Sequence, residues 1–137
     1  MTVALTDEGT GRLAYDITGV ISEVAAAQGS IANPFGCSVH ITKAHLLVKT
    51  KAAAAGQLSI GITTAAALSN NIWTATAMNT QTEGSVYNCF GSYDTAVTVL
   101  PTAVWTSALF LTFSGAAASL ADFTGTLFLE VVRTPAA

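Results

Sequence analysis

Residues 39–51 alternate between two kinds of side chain, and this rhythm limits the possible fold more than any other feature of the chain. Ala44, Leu46 and Val48 fall on one parity, while Lys43, His45, Lys49 and Lys51 fall on the other. Side chains that change face at every residue belong to a strand, and a strand with one apolar and one charged face is half-buried. The rhythm recurs in Leu13, Tyr15 and Ile17 against Ala14, Asp16 and Thr18, and in Leu58, Ile60 and Ile62 against Ser59, Gly61 and Thr63. Four alanines and Gly56 connect the segment 39–51 to the segment 58–63, and the two read as a hairpin. Weaker strand candidates are residues 85–90 and 96–100.

Two later segments alternate differently. Leu109, Leu111 and Phe113 stand against Phe110, Thr112 and Ser114, and Leu127, Leu129 and Val131 against Phe128, Glu130 and Val132. Both faces carry large apolar groups, so each strand is either central in a sandwich or part of a subunit interface. Phe110, Phe128 and Val132 are therefore candidate interface residues. Trp73 joins them because the stretch 65–84, with its asparagines at 70, 71 and 79, reads as a surface loop that touches a partner. Alanine-rich residues 24–28 and 65–69 allow one helical turn each, too little to change the class. Short strands separated by Gly, Pro, Asn and Ser imply an all-β chain: a single-domain, jelly-roll-like β-sandwich of antiparallel strands over residues 1–137. Residues 1–35 read as an N-terminal arm plus the first strand.

Charge supplies the next constraint. Of 137 residues, 51% are hydrophobic and only 9% charged, against about 25% charged in ordinary soluble domains. Such a chain must enter a membrane or hide much of its surface in an assembly. Residues 52–82 and 95–121 carry no charge, yet Thr, Ser, Asn, Gln and Gly interrupt both, and neither holds a continuous apolar run of spanning length. A membrane barrel would need more alternating strands of about ten residues than the chain contains. Five basic residues and a net charge of -3 give no basic face for nucleic acid. The first residues lack a basic region followed by an apolar core, so no secretion signal is expected and synthesis is placed in a cytoplasm. Cys37 and Cys89 then read as reduced thiols, with a single disulfide open to them after release into an oxidising environment.

Residues for catalysis are scattered. His40 and His45 are separated by an odd number of positions in one strand, which puts them on opposite faces and excludes a shared local metal. A Gly-x-Ser-x-Gly elbow is absent, and Cys37 and His40 point apart in an extended segment. Gly9-Thr10-Gly11-Arg12-Leu13-Ala14 matches a relaxed dinucleotide pattern but runs into a strand where a helix is required, so it reads as a turn. The carboxylates form no pair poised for acid and base work, apart from the adjacent Asp7 and Glu8 near the terminus, and no calcium loop. No catalytic, cofactor-binding or metal-binding residue is assigned, and the chain is not expected to be an enzyme.

The segment Ile41-Thr-Lys-Ala-His-Leu-Leu-Val-Lys-Thr, an Ala/Gly turn, and Gln57-Leu-Ser-Ile-Gly-Ile-Thr-Thr together resemble small jelly-roll proteins of tailed bacteriophage particles. The ending Phe123-Thr-Gly-Thr-Leu-Phe-Leu-Glu-Val-Val, after a Gly/Ala/Ser turn, is similar to that group too. These are head decoration (cement) and head-fibre proteins. The resemblance starts at Ile41 and does not extend to residues 1–35. It implies a homotrimer on the capsid surface of the virion that stabilises the phage head by bridging capsomers of the major capsid protein, with no cofactor and no catalysis. The four interface candidates then become capsid or subunit contacts. An alternative is a receptor- or carbohydrate-binding module of a phage fibre or lectin-like protein, in which Trp73 and Trp105 stand exposed and Tyr87, Phe90 and Tyr93 join them as stacking aromatics. A jelly-roll hydrolase using His45 or Asp94 ranks last.

Overall fold

The computed structural model describes residues 10–20, 29–64, 69–89 and 104–133. Among them the chain forms β1 (Thr10–Ile17), β2 (Gly29–Ala32), β3 (Val39–Thr50), β4 (Gln57–Thr63), β5 (Trp73–Ala77), β6 (Val86–Asn88), β7 (Val104–Trp105), β8 (Phe110–Ala116) and β9 (Thr124–Arg133). The first sheet runs β1-β9-β3-β6, with the short β7 also pairing with β3, and the second runs β2-β8-β4-β5. Every described pairing is antiparallel. The fold is all-β, a two-sheet sandwich. Its order is that of one long hairpin, with β4 and β5 at the tip and β1 and β9 at the open end, rolled so that successive strands, apart from β4 with β5 and β6 with β7, lie in opposite sheets. That is a jelly roll.

The expected hairpin of 39–51 with 58–63 is corrected by this order, because β3 and β4 lie in opposite sheets. Their connection does not close on itself. Ala52 is buried and donates to the Met78 carbonyl at 3.3 Å, while Gly56 accepts from the Met78 amide at 2.8 Å, so the link is tied to the end of β5. A Cβ on residue 56 would lie 2.6 Å from the Ala118 carbonyl oxygen, which is why glycine stands at this crossing. The stretch read as a surface loop also contains a strand, β5, which pairs with β4. Residues 24–28, 65–68 and 96–100 lie outside the described residues.

The core forms where the inner parities of the two sheets meet. Ile41, Ala44, Leu46 and Val48 of β3 and Leu127, Leu129 and Val131 of β9 pack with Leu58, Ile60 and Ile62 of β4 and Leu111 and Phe113 of β8. Burying each large aliphatic side chain contributes about 1.5–3 kcal/mol. Trp105, Leu120 and Phe123 are likewise buried in this cluster, and the Trp105 indole donates to the Leu109 carbonyl at 3.0 Å.

One polar contact extends the second sheet where backbone pairing stops. The Ile72 amide donates to the Ile60 carbonyl at 3.0 Å; further along β4, the Asn71 side chain accepts from the Ile62 amide at 2.7 Å and donates to its carbonyl at 3.1 Å. Gly61 permits this, since a Cβ there would run into Ser69 and Asn71. Asn71→Ala strands two part-buried backbone groups, so it is expected to lower unfolding free energy by about 1–3 kcal/mol. Asn71→Asp keeps the acceptor for the Ile62 amide but sets a carboxylate oxygen against the Ile62 carbonyl, so it should also be destabilising, and urea titration of both variants checks the pair.

Candidate functional site

The outer face of the first sheet is the surface on which the fold sets its least expected side chains. Register places them in rows across the strands. Arg12, Glu130 and Lys43 form one row; Ala14, Phe128, His45 and Asn88 the next; Asp16, Thr126, Leu47 and Val86 the third. Phe128 is 41% exposed and Val86 57%, the two exposed large hydrophobic residues among those described. Leu47 and His45 beside them are half-buried. The cause lies in the strand period: Leu127, Leu129 and Val131 must face inward, so Phe128 cannot. Val132 shares this outer face, one row beyond Glu130 and opposite His40.

Ion pairs frame the apolar centre at both ends. Glu130 lies 3.5 Å from Arg12 and 3.4 Å from Lys43, and Asp16 lies 3.2 Å from Lys49. Asp16 also accepts from the Thr126 hydroxyl at 2.8 Å. Solvent screens exposed pairs of this kind, so they do little for stability. Their effect is to set a polar rim around an apolar middle, the anatomy of an association surface. A shallow depression of about 340 Å³ lies within it, lined by Arg12, Lys43, His45, Phe128 and Glu130 among others.

The histidine expectation is corrected here. A bulge at Thr42 inserts one residue between Ile41 and Lys43 in the β9 register, so the side-chain phase reverses and His40 and His45 stand on the same face. The Thr42 hydroxyl closes the gap by donating to the Glu130 carbonyl at 3.1 Å. The histidines sit opposite Val132 and Phe128, about 13 Å apart along the strand, with the Glu130 row between them. Among the described residues no group of three or more His, Cys, Asp or Glu side chains is placed to hold a metal.

Other candidates lie elsewhere. Phe110 is half-buried on the outer side of the second sheet, opposite Ala32 and Thr63. Trp73, expected at an interface, is only 2% exposed and meets the Tyr87 ring edge-on at 6.0 Å, so as a surface contact it is corrected. Trp105 is wholly buried, which removes both tryptophans from the sugar-stacking surface of the alternative reading. Phe90, Tyr93 and Asp94 lie outside the described residues. Gly11 to Ala14 are inside β1, where the sequence suggested a turn. Cys37 and Cys89 are both free thiols, and burial pushes that of Cys89 up to about 12. Each described carboxylate has a partner within the chain: besides Asp16 and Glu130, Glu83 accepts from the Lys51 amide and Asp122 from the Ala53 amide. No described helix is long and apolar enough to cross a membrane.

The Thr126 hydrogen bond, then Lys49, hold the Asp16 carboxyl below its ordinary value of 3.8. A lowered folded value means that the ionised form favours the folded chain. That contribution is whole above 3.8 and is lost as pH falls through the lower folded value. Asp16→Asn should therefore flatten the acid limb of a plot of thermal midpoint against pH below 3.8, leaving the neutral region nearly parallel to the parent.

No protein-family model matches the chain, and none of the curated proteins matches it. Among solved structures, the fold is similar to that of a chain from the capsid of Ralstonia phage GP4, with a TM-score of 0.59. The match covers 93% of this chain and 86% of that one at 18% identity. At that identity the likeness is one of fold.

Proposed function

We propose that the protein is a structural component of a tailed-phage virion, a decoration (cement) protein that trimerises and sits on the outside of the head. There it bridges neighbouring capsomers of the major capsid protein. The observation that carries this reading is the open outer face of the first sheet, where Phe128 and Val86 are exposed beside two ion-pair clusters. An apolar centre of this kind on a chain with 9% charged residues calls for a protein partner. The similarity of fold to a phage capsid chain supports the virion as the setting.

The reading assigns no catalytic step, cofactor or metal, and no contact with nucleic acid or membrane. Assembly alone is the activity. Three weak contacts on one rigid trimer act together at high effective concentration, so each capsid contact can be small and the whole still hold.

Two measurements test it. Quantitative mass spectrometry of purified particles should find the chain at a copy number tied to the capsid lattice, and its absence from intact particles overturns the reading. Light scattering on the purified protein should give a mass that is a multiple of three chains. Phe128→Asp should abolish this three-fold association while changing unfolding free energy by only about 0.5 kcal/mol, as for other exposed sites.

A further inference from the structure

Strand β1 is the outer strand of the first sheet, and among the described residues only β9 pairs with it. The pairing runs unbroken from Thr10 to Ile17, so the edge that no described strand covers is eight residues long without a proline or a bulge. Long regular edges accept further strands, and proteins normally blunt them with charge. Here the charges are Arg12 and Asp16, of opposite sign and equally distant from Ala14.

That symmetry has a consequence for pairing. In an antiparallel pair of two β1 edges with Ala14 opposite Ala14, Arg12 of each copy faces Asp16 of the other, and Leu13 faces Tyr15. All of these partners share a parity, so the charges meet on the outer face and the apolar groups on the inner one. Slipping the register by two positions sets Arg12 opposite Ala14 or Thr18. Slipping it by four sets Arg12 against Arg12 or Asp16 against Asp16. One register alone satisfies both charges. Beneath this edge the two sheets leave an open cleft of about 360 Å³ lined by Tyr15, Ile17, Ile31 and Phe113 among others, and along the edge Leu13 and Tyr15 are only half-buried.

We propose that the β1 edge is a two-fold self-association site, where a second copy of this chain continues the first sheet by antiparallel pairing centred on Ala14. The same charges that repel unrelated strands select this one. A contact of this symmetry is distinct from the three-fold contact of the proposed function and goes beyond it; a chain that never meets a capsid can still pair its edges. Combined with a trimer, it links trimers in twos.

Cysteine cross-linking tests the register. In a Cys37→Ser background, Ala14→Cys should form a covalent dimer under mild oxidation, because residues directly opposite in an antiparallel pair lie about 4.5–5.5 Å apart at Cα. Cys89 is buried and should not compete. Thr18→Cys, opposite Thr10 in this register, is the control that should form no covalent dimer. No more cross-linking from Ala14→Cys than from the control overturns the proposal, as does a cross-link to a different protein in purified particles. Charge reversal supplies a second readout. Arg12→Asp or Asp16→Arg alone should weaken the two-fold association about tenfold, two symmetry-related pairs turning repulsive at once. The double variant should restore it. If the single effects instead arise from Glu130 and Lys49 within the chain, the double variant will be worse than either single, and the proposal fails.

Discussion

Strand β9 pairs with β1 on one side and β3 on the other, and everything else in the molecule is arranged around that double pairing. It joins the described C-terminal strand to the first, closing the open end of the rolled hairpin, so the sandwich cannot form until the distant parts of the chain have met. Its inner side chains, Leu127, Leu129 and Val131, are almost wholly buried and face β4 and β8. Such burial stabilises at about 1.5–3 kcal/mol for each residue. Because the strand is central, neither edge can tilt to hide its other parity. Phe128 and Glu130 are held on the outer face by the same constraint that makes the core.

This explains which parts of the fold could be read from the sequence. The segment around Leu46 sets Ala44, Leu46 and Val48 against Lys43, His45 and Lys49, and these side chains take the two faces that the alternation predicts. Strand β5 escaped notice because, between Trp73 and Ala77, it is a run of threonine and alanine with no contrast between parities. Strands β2 and β7 are too short to show a period at all. The hairpin was misread for a different reason: alternation reports that a strand has a buried face and carries no information about its partner. Only the tertiary contacts of Ala52 and Gly56 with β5 and the 118–120 turn send the chain across to the other sheet.

The candidate site was legible in the same uneven way. Phe128 and Val132 were identified by the presence of large apolar groups on both parities, and register sets them on one face. Val86 was missed since its strand holds only three residues, and its exposure follows from pairing with Leu47 rather than from local pattern. Trp73 was placed outside on the strength of the asparagines around it. One of those, Asn71, does not mark a solvent loop; its amide occupies the place of a missing backbone partner and helps bring Trp73 under cover. The histidines show how one inserted residue, Thr42, defeats a parity rule that is otherwise sound.

Charged residues are sparse, and their placement shows what they are for. None of the three described ion pairs is buried, so the energy each returns to folding is near the thermal scale. A pair that is weak for stability can still be decisive for specificity, because the cost of the wrong neighbour is a repulsion and not merely a lost attraction. Glu130 held between Arg12 and Lys43, and Asp16 between Lys49 and Thr126, pin charges at fixed rows on either side of an apolar strip. Few charges, held rigidly by a sheet, thus define position on a surface whose attraction is otherwise non-directional.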